Sequence, residues 1–497
     1  MPLPLSVKLL SEICVDFIKD NMSKFCEMSS MRRPAGVDAF NAENSLSPFD
    51  SLPSVILEGI IRHLTLSNQL KEKYLELLIT PYLRTLDFSM CDKHSISGLL
   101  RLASRKCPHL RSLWLGSLGY FLGCLNFIPK FTHLQVLDIS GSGTADSLLS
   151  LLGTYCPDLK ELYINDSLVS DAGIKGLCVT GQCKSICILH LSETNVTFVG
   201  TAMALKNLPS LKELRHDSIV DTLARLYQMA LREGRRLSDV KYALSTLTIR
   251  INSPYERGDL PEALLLCPSL TKLDITAPEV FTDRDLLALL PQEKKITDLT
   301  LSGTQTSRIS FNGGVAPLFR QSVIGISLMS LNLSYFPKVN IRIITEYCPN
   351  LRSLILDKID RYEEFHHRPE NPVPKILMKL EILKLVHFNS QENLFLLLSS
   401  PSLVSVTLDH CYALTDNVLK SVTELHSFRN LEHFHVISNY RLTKNGIDYL
   451  MKETNPLKVI KLKNITCLTE TDMDMEEWKK KIRDENWQLS LTIQGRF

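Results

Sequence analysis

The chain has 497 residues, and 56 Lys plus Arg against 54 Asp plus Glu leave a formal charge of +2. So close a balance gives no global electrostatic case for nucleic acid or an anionic membrane, and 44% hydrophobic with 22% charged residues is ordinary for a soluble globular protein. Thirteen cysteines, an odd number, argue against a disulfide framework and for a reducing compartment. From the N-terminus, Leu10, Ile13, Cys14, Phe17 and Ile18 fall at helical spacing and predict an amphipathic helix whose plainest role is to cap the fold behind it. Glu12, Asp16 and Asp20 interrupt it before a signal peptide or membrane span develops. A polar loop at about 28–50 follows, and Leu52-Pro53-Ser54-Val55-Ile56 opens a second helix with Pro53 in its first turn. No other stretch reaches about 18 uncharged apolar residues, so the expected localisation is cytoplasmic and/or nuclear.

From Leu83 onward one phrase recurs: an aliphatic residue, two variable residues, a second aliphatic, one variable residue, and usually a third aliphatic. Its first aliphatic falls at Leu83, Leu110, Leu134, Leu159, Ile186, Leu211, Leu244, Leu270, Ile296, Leu328, Leu351, Leu380, Leu403, Leu431 and Leu457. The gaps run from 23 residues (Leu328 to Leu351) to 33 (Leu211 to Leu244). Cys-Pro pairs precede four copies, at Cys107, Cys156, Cys267 and Cys348. Between copies, Ser170, Thr415 and Thr443 each follow an aliphatic and open an apolar stretch, as helix N-caps should. Each unit therefore predicts strand, loop and helix, stacked into a solenoid with a parallel sheet on its concave face. Cys183 and Cys187 form the only tight cysteine pair, and no second pair or nearby His completes a metal set.

Three segments depart from the phrase. Ile219 to Arg232 predicts a lengthened helix, with Arg232, Arg235 and Arg236 at its solvated end. A Gly-, Ser- and Thr-rich loop is expected between Leu301 and Leu328, and a charged, Pro-rich surface excursion from Asp357 to Lys375, including His366, His367, Pro369 and Pro372. After Leu462 the repeat decays into a polar helix at Met473–Asp484 and a closing strand at Trp487–Ile493. The expected organisation is a helical region at 1–80, a solenoid of about fifteen repeats at 81–465 and a C-terminal cap at 466–497.

The phrase resembles the cysteine-containing class of leucine-rich repeat, which implies an α/β solenoid with helices on the convex side. Leu10-x-x-x-Cys14-x-x-x-Ile18 resembles an Elongin C-binding box, in which a leucine knob and a small thiol enter a narrow apolar groove. Leu52-Pro53-x-x-Ile56 resembles a cullin 2 box. Together with Ile13-Cys14-Val-Asp-Phe17 and Lys24-Phe25-Cys26, this order is similar to the zygote-defective (zyg eleven and Zer one type) substrate receptors of cullin 2 ubiquitin ligases. That resemblance implies Elongin C (with Elongin B) and cullin 2 as partners. Leu10, Ile13, Cys14, Phe17 and Ile18 would bind Elongin C, and Leu52, Pro53 and Ile56 the cullin. The family's armadillo-like domain has no counterpart among the leucine-rich phrases, so its terminal-glycine recognition does not carry over.

Two other readings stay open. Leu52 to Leu64 also resembles the opening helix of an F-box, which would replace these partners with Skp1 and cullin 1, although no Trp precedes Trp114 where an F-box continues. A leucine-rich-repeat scaffold outside ubiquitin chemistry is the third. For an enzyme the chain offers no nucleophile elbow, phosphate-cradling loop or catalytic Cys-His set, so no catalytic residue, metal or cofactor is expected. Substrate contacts are expected from variable strand positions: Trp114, Tyr163, His190, Arg215, Asp274, Asn332, Ile355, Thr407, His433 and His435. Trp, Tyr and Arg are the usual anchors of an interface. Asp87, Asp138 and Asp274 share one repeat position, which a preference for solvent or turn bonding explains equally well.

Overall fold

A computed structural model describes residues 10–31, 47–66, 69–89, 91, 93–115, 122–236, 240–250, 253–256, 258–277, 279–292, 294–304, 308–364, 374–426, 428–452, 456–465, 473–484, 487 and 489–494. The chain divides into two compact units, Lys8–Ser245 and Thr246–Phe497 together with Met1–Val7.

Among the described residues the first unit opens with four helices, α1 (Leu10–Asp20), α2 (Met22–Met31), α3 (Ser54–Leu66) and α4 (Glu72–Leu78). Helix α2 therefore extends into the segment expected to be loop, while 32–46 lie outside the described residues. Six described strands follow: β1 (Thr85–Asp87), β2 (Ser112–Trp114), β3 (Val136–Asp138), β4 (Glu161–Tyr163), β5 (Ile188–His190) and β6 (Glu213–Arg215). Each pairs in parallel with the next at a constant register. The phrase explains the ladder. Its aliphatics point inward, so Leu83, Leu86, Leu110, Leu113, Leu134 and Leu137 are each fully buried, and the residues between them alternate outward. The exception is His216, which takes a third-aliphatic position. There its Nε2 lies 3.0 Å from the Val196 carbonyl and burial pushes its pKa down.

An open parallel sheet leaves its first strand's backbone unpaired, which invites association with other chains. Here α3 covers that edge. One carboxylate oxygen of Glu58 accepts the Arg84 and Thr85 amides at 3.2 and 3.1 Å, and Leu57, Ile60 and Leu64 are buried against the ladder's end. Pro53 sits one residue before α3, its carbonyl accepting from Ile56 and Leu57, rather than inside the first turn.

The second unit carries ten strands among the described residues: β7 (Thr246–Ile249), β8 (Lys272–Thr276), β9 (Asp298–Ser302), β10 (Ser330–Ser334), β11 (Ser353–Asp357), β12 (Ile382–Val386), β13 (Ser405–Asp409), β14 (His433–Ile437), β15 (Val459–Lys463) and β16 (Ser490–Gln494). They too pair in sequence order and in parallel. The residue after each of β10–β15 is left-handed: Tyr335 (φ 59°), Lys358 (50°), His387 (56°), His410 (49°), Ser438 (52°) and Asn464 (55°). Five of these amides still donate to the neighbouring strand, as His387 does to Asp409 at 2.9 Å. At those five the kink redirects the chain without giving up a ladder bond. Both units are leucine-rich-repeat ladders, and the fold is α/β.

The connecting segments are less uniform than strand, loop and helix. Leu122–Lys130 is a 3-10 helix containing Pro129, which cannot donate within an α-helix. The expected loop after Leu301 instead holds two short helices, Ala316–Gln321 and Val323–Ser327, because Phe311, Leu318 and Phe319 give it a buried core of its own. The long helix Ile219–Arg232 and the terminal helix Met473–Asp484 form as expected. Of the Asp357–Lys375 excursion, 365–373 lie outside the described residues.

A clamp joins successive helix starts. Asp171 accepts the Thr197 amide and hydroxyl at 2.8 and 2.6 Å and the Gly200 amide at 3.0 Å. Asp146 with Ser170, Asp283 with Ser310 and Asp416 with Thr443 repeat it. The hydroxyls also cap, as expected: Ser170 Oγ accepts from Ala172 and Thr443 Oγ1 from Asn445, both at 3.2 Å.

All eleven cysteines whose state the structure gives are free thiols. Those of the Cys-Pro pairs are buried; Cys107 donates to the Thr80 carbonyl at 3.2 Å and Cys156 to that of Phe131 at 3.6 Å, each one unit back. Burial pushes Cys107, Cys156, Cys267 and Cys348 up to about 12. They pack as small apolar groups, not as nucleophiles.

Candidate functional site

Helix α1 packs against α2 and α3, yet it does not turn its apolar stripe inward. Phe17 is 61% exposed and Ile13 49%, Cys14 is exposed and Ile18 half-buried; the Leu10 side chain lies outside the described residues. The capping role expected of this stripe falls instead to α3 and α4, which bury Leu57, Ile60, Tyr74, Leu75 and Leu78. At the start of α3, Pro53 is exposed, Leu52 and Ile56 are half-buried and Val55 is 76% exposed. The Lys24-Phe25-Cys26 phrase is structural. Phe25 meets Phe49 edge-on at 5.2 Å, and the Cys26 thiol donates to the Lys73 carbonyl at 3.5 Å. Helix α2 is thereby fixed on α4.

The outward face of β1–β6 gathers the second set of candidates. Register places Asp87, Trp114, Asp138, Tyr163, His190 and Arg215 in one row across the six strands. The Trp114 and Tyr163 rings are 5.5 Å apart, reaching across Asp138, and Tyr163 meets His190 edge-on at 4.7 Å. The adjoining row supplies two carboxylates. Glu161 accepts from the Tyr163 hydroxyl at 2.8 Å, while Glu213 takes His190 Nε2 at 2.9 Å and Arg215 Nε at 2.7 Å. The His190 hydrogen bond, with Arg215 beside it, holds the Glu213 carboxyl below its ordinary value. Burial and the Glu161 bond push the Tyr163 phenol up, so it remains a donor. The row is thus a pre-set aromatic platform, with its rings and its imidazole locked by neighbours.

In the second unit, Asp274, Asn332, Ile355, Thr407 and His435 share one row, while His433 belongs to the row beside it. The His433 and His435 rings meet edge-on at 6.4 Å. Burial, aided by Lys461 and His433, pushes the His435 pKa down, so it is a neutral imidazole at pH 7. Sequence reasoning missed Glu161 and Glu213, because their role is to orient neighbours: each reaches a residue two along its own strand, Tyr163 or Arg215, and Glu213 also reaches His190 on the adjoining strand. Aligning the repeats as rows, with each x position read down the column, is the signal that finds them.

Among the described residues no group of three or more His, Cys, Asp or Glu side chains is arranged to hold a metal ion, and no helix is long and apolar enough to cross a membrane. No family model matches the chain, and no curated protein matches it. Among solved structures it is similar to the complex of Rad7 and Elc1 in yeast, with a TM-score of 0.44 and 16% identity over 99% of each chain. It is also similar to an internalin of Listeria monocytogenes, with a TM-score of 0.31 and 16% identity, covering 66% of this chain and 82% of that one.

Proposed function

We propose that the protein is the substrate-recognition subunit of a cullin-RING ubiquitin ligase of the Elongin B/C and cullin 2 type. Helix α1 offers Leu10, Ile13, Cys14, Phe17 and Ile18 to Elongin C, the start of α3 offers Leu52, Pro53 and Ile56 to the cullin, and the strand face holds the substrate. The observation that carries this reading is the outward apolar stripe of α1. A helix whose neighbours bury their own leucines, but which leaves a phenylalanine 61% and an isoleucine 49% exposed, is built to be covered by another chain. The chain itself performs no chemistry. It raises the local concentration of substrate lysines near a charged E2, an effect of positioning rather than of catalytic groups.

Co-purification tests it. The wild-type chain is expected to retain Elongin B/C, and Leu10→Ala combined with Cys14→Ala to lose it while the fold persists. Recovery of Skp1 in place of Elongin C would install the F-box reading, which the Leu52–Leu64 helix supports. Recovery of neither adaptor would leave a leucine-rich-repeat scaffold.

A further inference from the structure

A groove of about 710 Å³ lies where β1–β4 begin, walled by Pro53, Tyr82, Arg84, His109, Arg111 and His133. Arg84, Arg111 and Gln135 of its lining continue the ladder, and Lys160 lies one rung beyond the groove. The Arg111 amide donates to the Arg84 carbonyl at 2.7 Å, Gln135 to Arg111 at 2.7 Å, and Lys160 to Gln135 at 2.8 Å. These four residues therefore occupy successive rungs, one position ahead of the strand face. Rungs are about 4.8 Å apart, which sets Arg111 and Lys160 roughly 5 and 14 Å along a line from Arg84.

Arg84, Arg111 and Lys160 are exposed, and their side chains make no ion pair or hydrogen bond among the described residues. Three carboxylates of this unit hold other groups. Glu58 caps the Arg84 and Thr85 amides, Glu161 holds Tyr163, and Glu213 holds His190 and Arg215. Asp158 stands on the groove wall, 3.9 Å from His133. The result is a cationic band one residue wide, bordered on the strand side by Asp87, Asp138, Glu161 and Glu213.

We propose that this band binds an extended acidic segment of a partner protein, laid across β1–β4 from the Pro53 end of α3. The geometry selects the occupant. An extended chain presents same-face side chains every 6.6–7 Å or so, so alternate Asp or Glu residues over five positions span the same roughly 14 Å as the three cations. A single phosphoryl group needs donors converging on one point, whereas these are strung along a line. A nucleic acid is broader than one rung position and would meet the acidic strand face. This surface does not rest on the adaptor assignment for α1, and it shares only Pro53 with the cullin contact proposed above.

Fluorescence anisotropy with the full chain tests it, using a labelled peptide that alternates Glu and Ser through ten positions at low salt. Saturable binding is expected, weakened about tenfold or more by Arg84→Gln, Arg111→Gln and Lys160→Gln together. It should be unchanged by Arg232→Gln with Arg236→Gln and lost when Gln replaces Glu in the peptide. All three cations are exposed, so the triple variant should keep its circular dichroism and melting temperature; Arg111→Glu alone provides a second, milder test of the band. Four results overturn the proposal. They are no saturable binding, equal binding of the Gln peptide, full affinity in a folded triple variant, and tighter binding of a phosphoserine peptide or an oligonucleotide of the same length.

Discussion

The aspartate clamp makes a prediction whose size follows from its geometry. Asp171→Ala removes three acceptor contacts, to the Thr197 amide and hydroxyl and to the Gly200 amide. Charge-assisted bonds are worth about 1.5–3 kcal/mol each when buried, but the Thr197 pair is exposed and water replaces most of it, which brings the expected cost to about 2 kcal/mol. Gly200→Ala attacks the same contact from the other side. Its Cβ would lie 2.3 Å from an Asp171 carboxylate oxygen and 2.7 Å from Val196 Cγ1, so the carboxylate must leave, at about 1–3 kcal/mol. Because both changes break one contact, the double variant should cost about 1–2 kcal/mol less than the sum. Global unfolding of a repeat protein need not be all-or-none. The assay is therefore native-state amide exchange of the Phe198–Asn207 helix. Strictly additive costs, or a Gly200→Ala chain with unaltered exchange, would refute the clamp.

Three further outcomes are expected. Phe17→Ala should shift the melting temperature little, since the ring is 61% exposed, yet weaken Elongin C binding at least tenfold in calorimetry; a large loss of stability instead would make α1 a core element. Iodoacetamide at about pH 8 should label exposed Cys14 first, and Cys107, Cys267 and Cys348, buried and pushed up to about 12, only after unfolding. Peptide mass mapping reads the order, and bound adaptor should shield Cys14. Glu213 is held below its ordinary 4.5 by His190 and Arg215, so its stabilisation is complete above that value and is lost as pH falls through the lower folded one. Glu213→Gln should therefore flatten the decline in melting temperature between about pH 5 and about pH 3; an unchanged slope would remove Glu213 as its source.

The ladder was legible because one physical demand, burial of the aliphatics, repeats at every unit. Leu110, Leu113 and Leu115 announce the same strand that Leu351, Leu354 and Leu356 do. The variable positions carry no such demand, so the sequence named Trp114, Tyr163, His190 and Arg215 singly without stating that they form one row. That fact depends on a register held constant over five pairings, including the offset created by unequal connecting segments. The clamp was half legible. Ser170 and Thr443 read as N-caps, but their clamping partners, Asp146 and Asp416, stand at the helix start of the preceding unit and show no tie to them until that unit is in place. The loop expected between Leu301 and Leu328 gives way to helix because its Gly and Ser are outweighed by buried Phe311, Leu318 and Phe319, while in Leu122–Lys130 the Pro129 ring turns the expected α-helix into a 3-10 helix. Which face of α1 turns outward was not legible at all, since an amphipathic stripe fits burial against its own chain as well as against another.

The Glu58 bonds that close the first strand's edge also tie α3 to the first unit's ladder through two backbone amides. Under the proposed function, a partner bound by α1 and the start of α3 would take its bearing from β1, and a substrate on the Trp114 row would be presented at a distance counted in rungs from that tie.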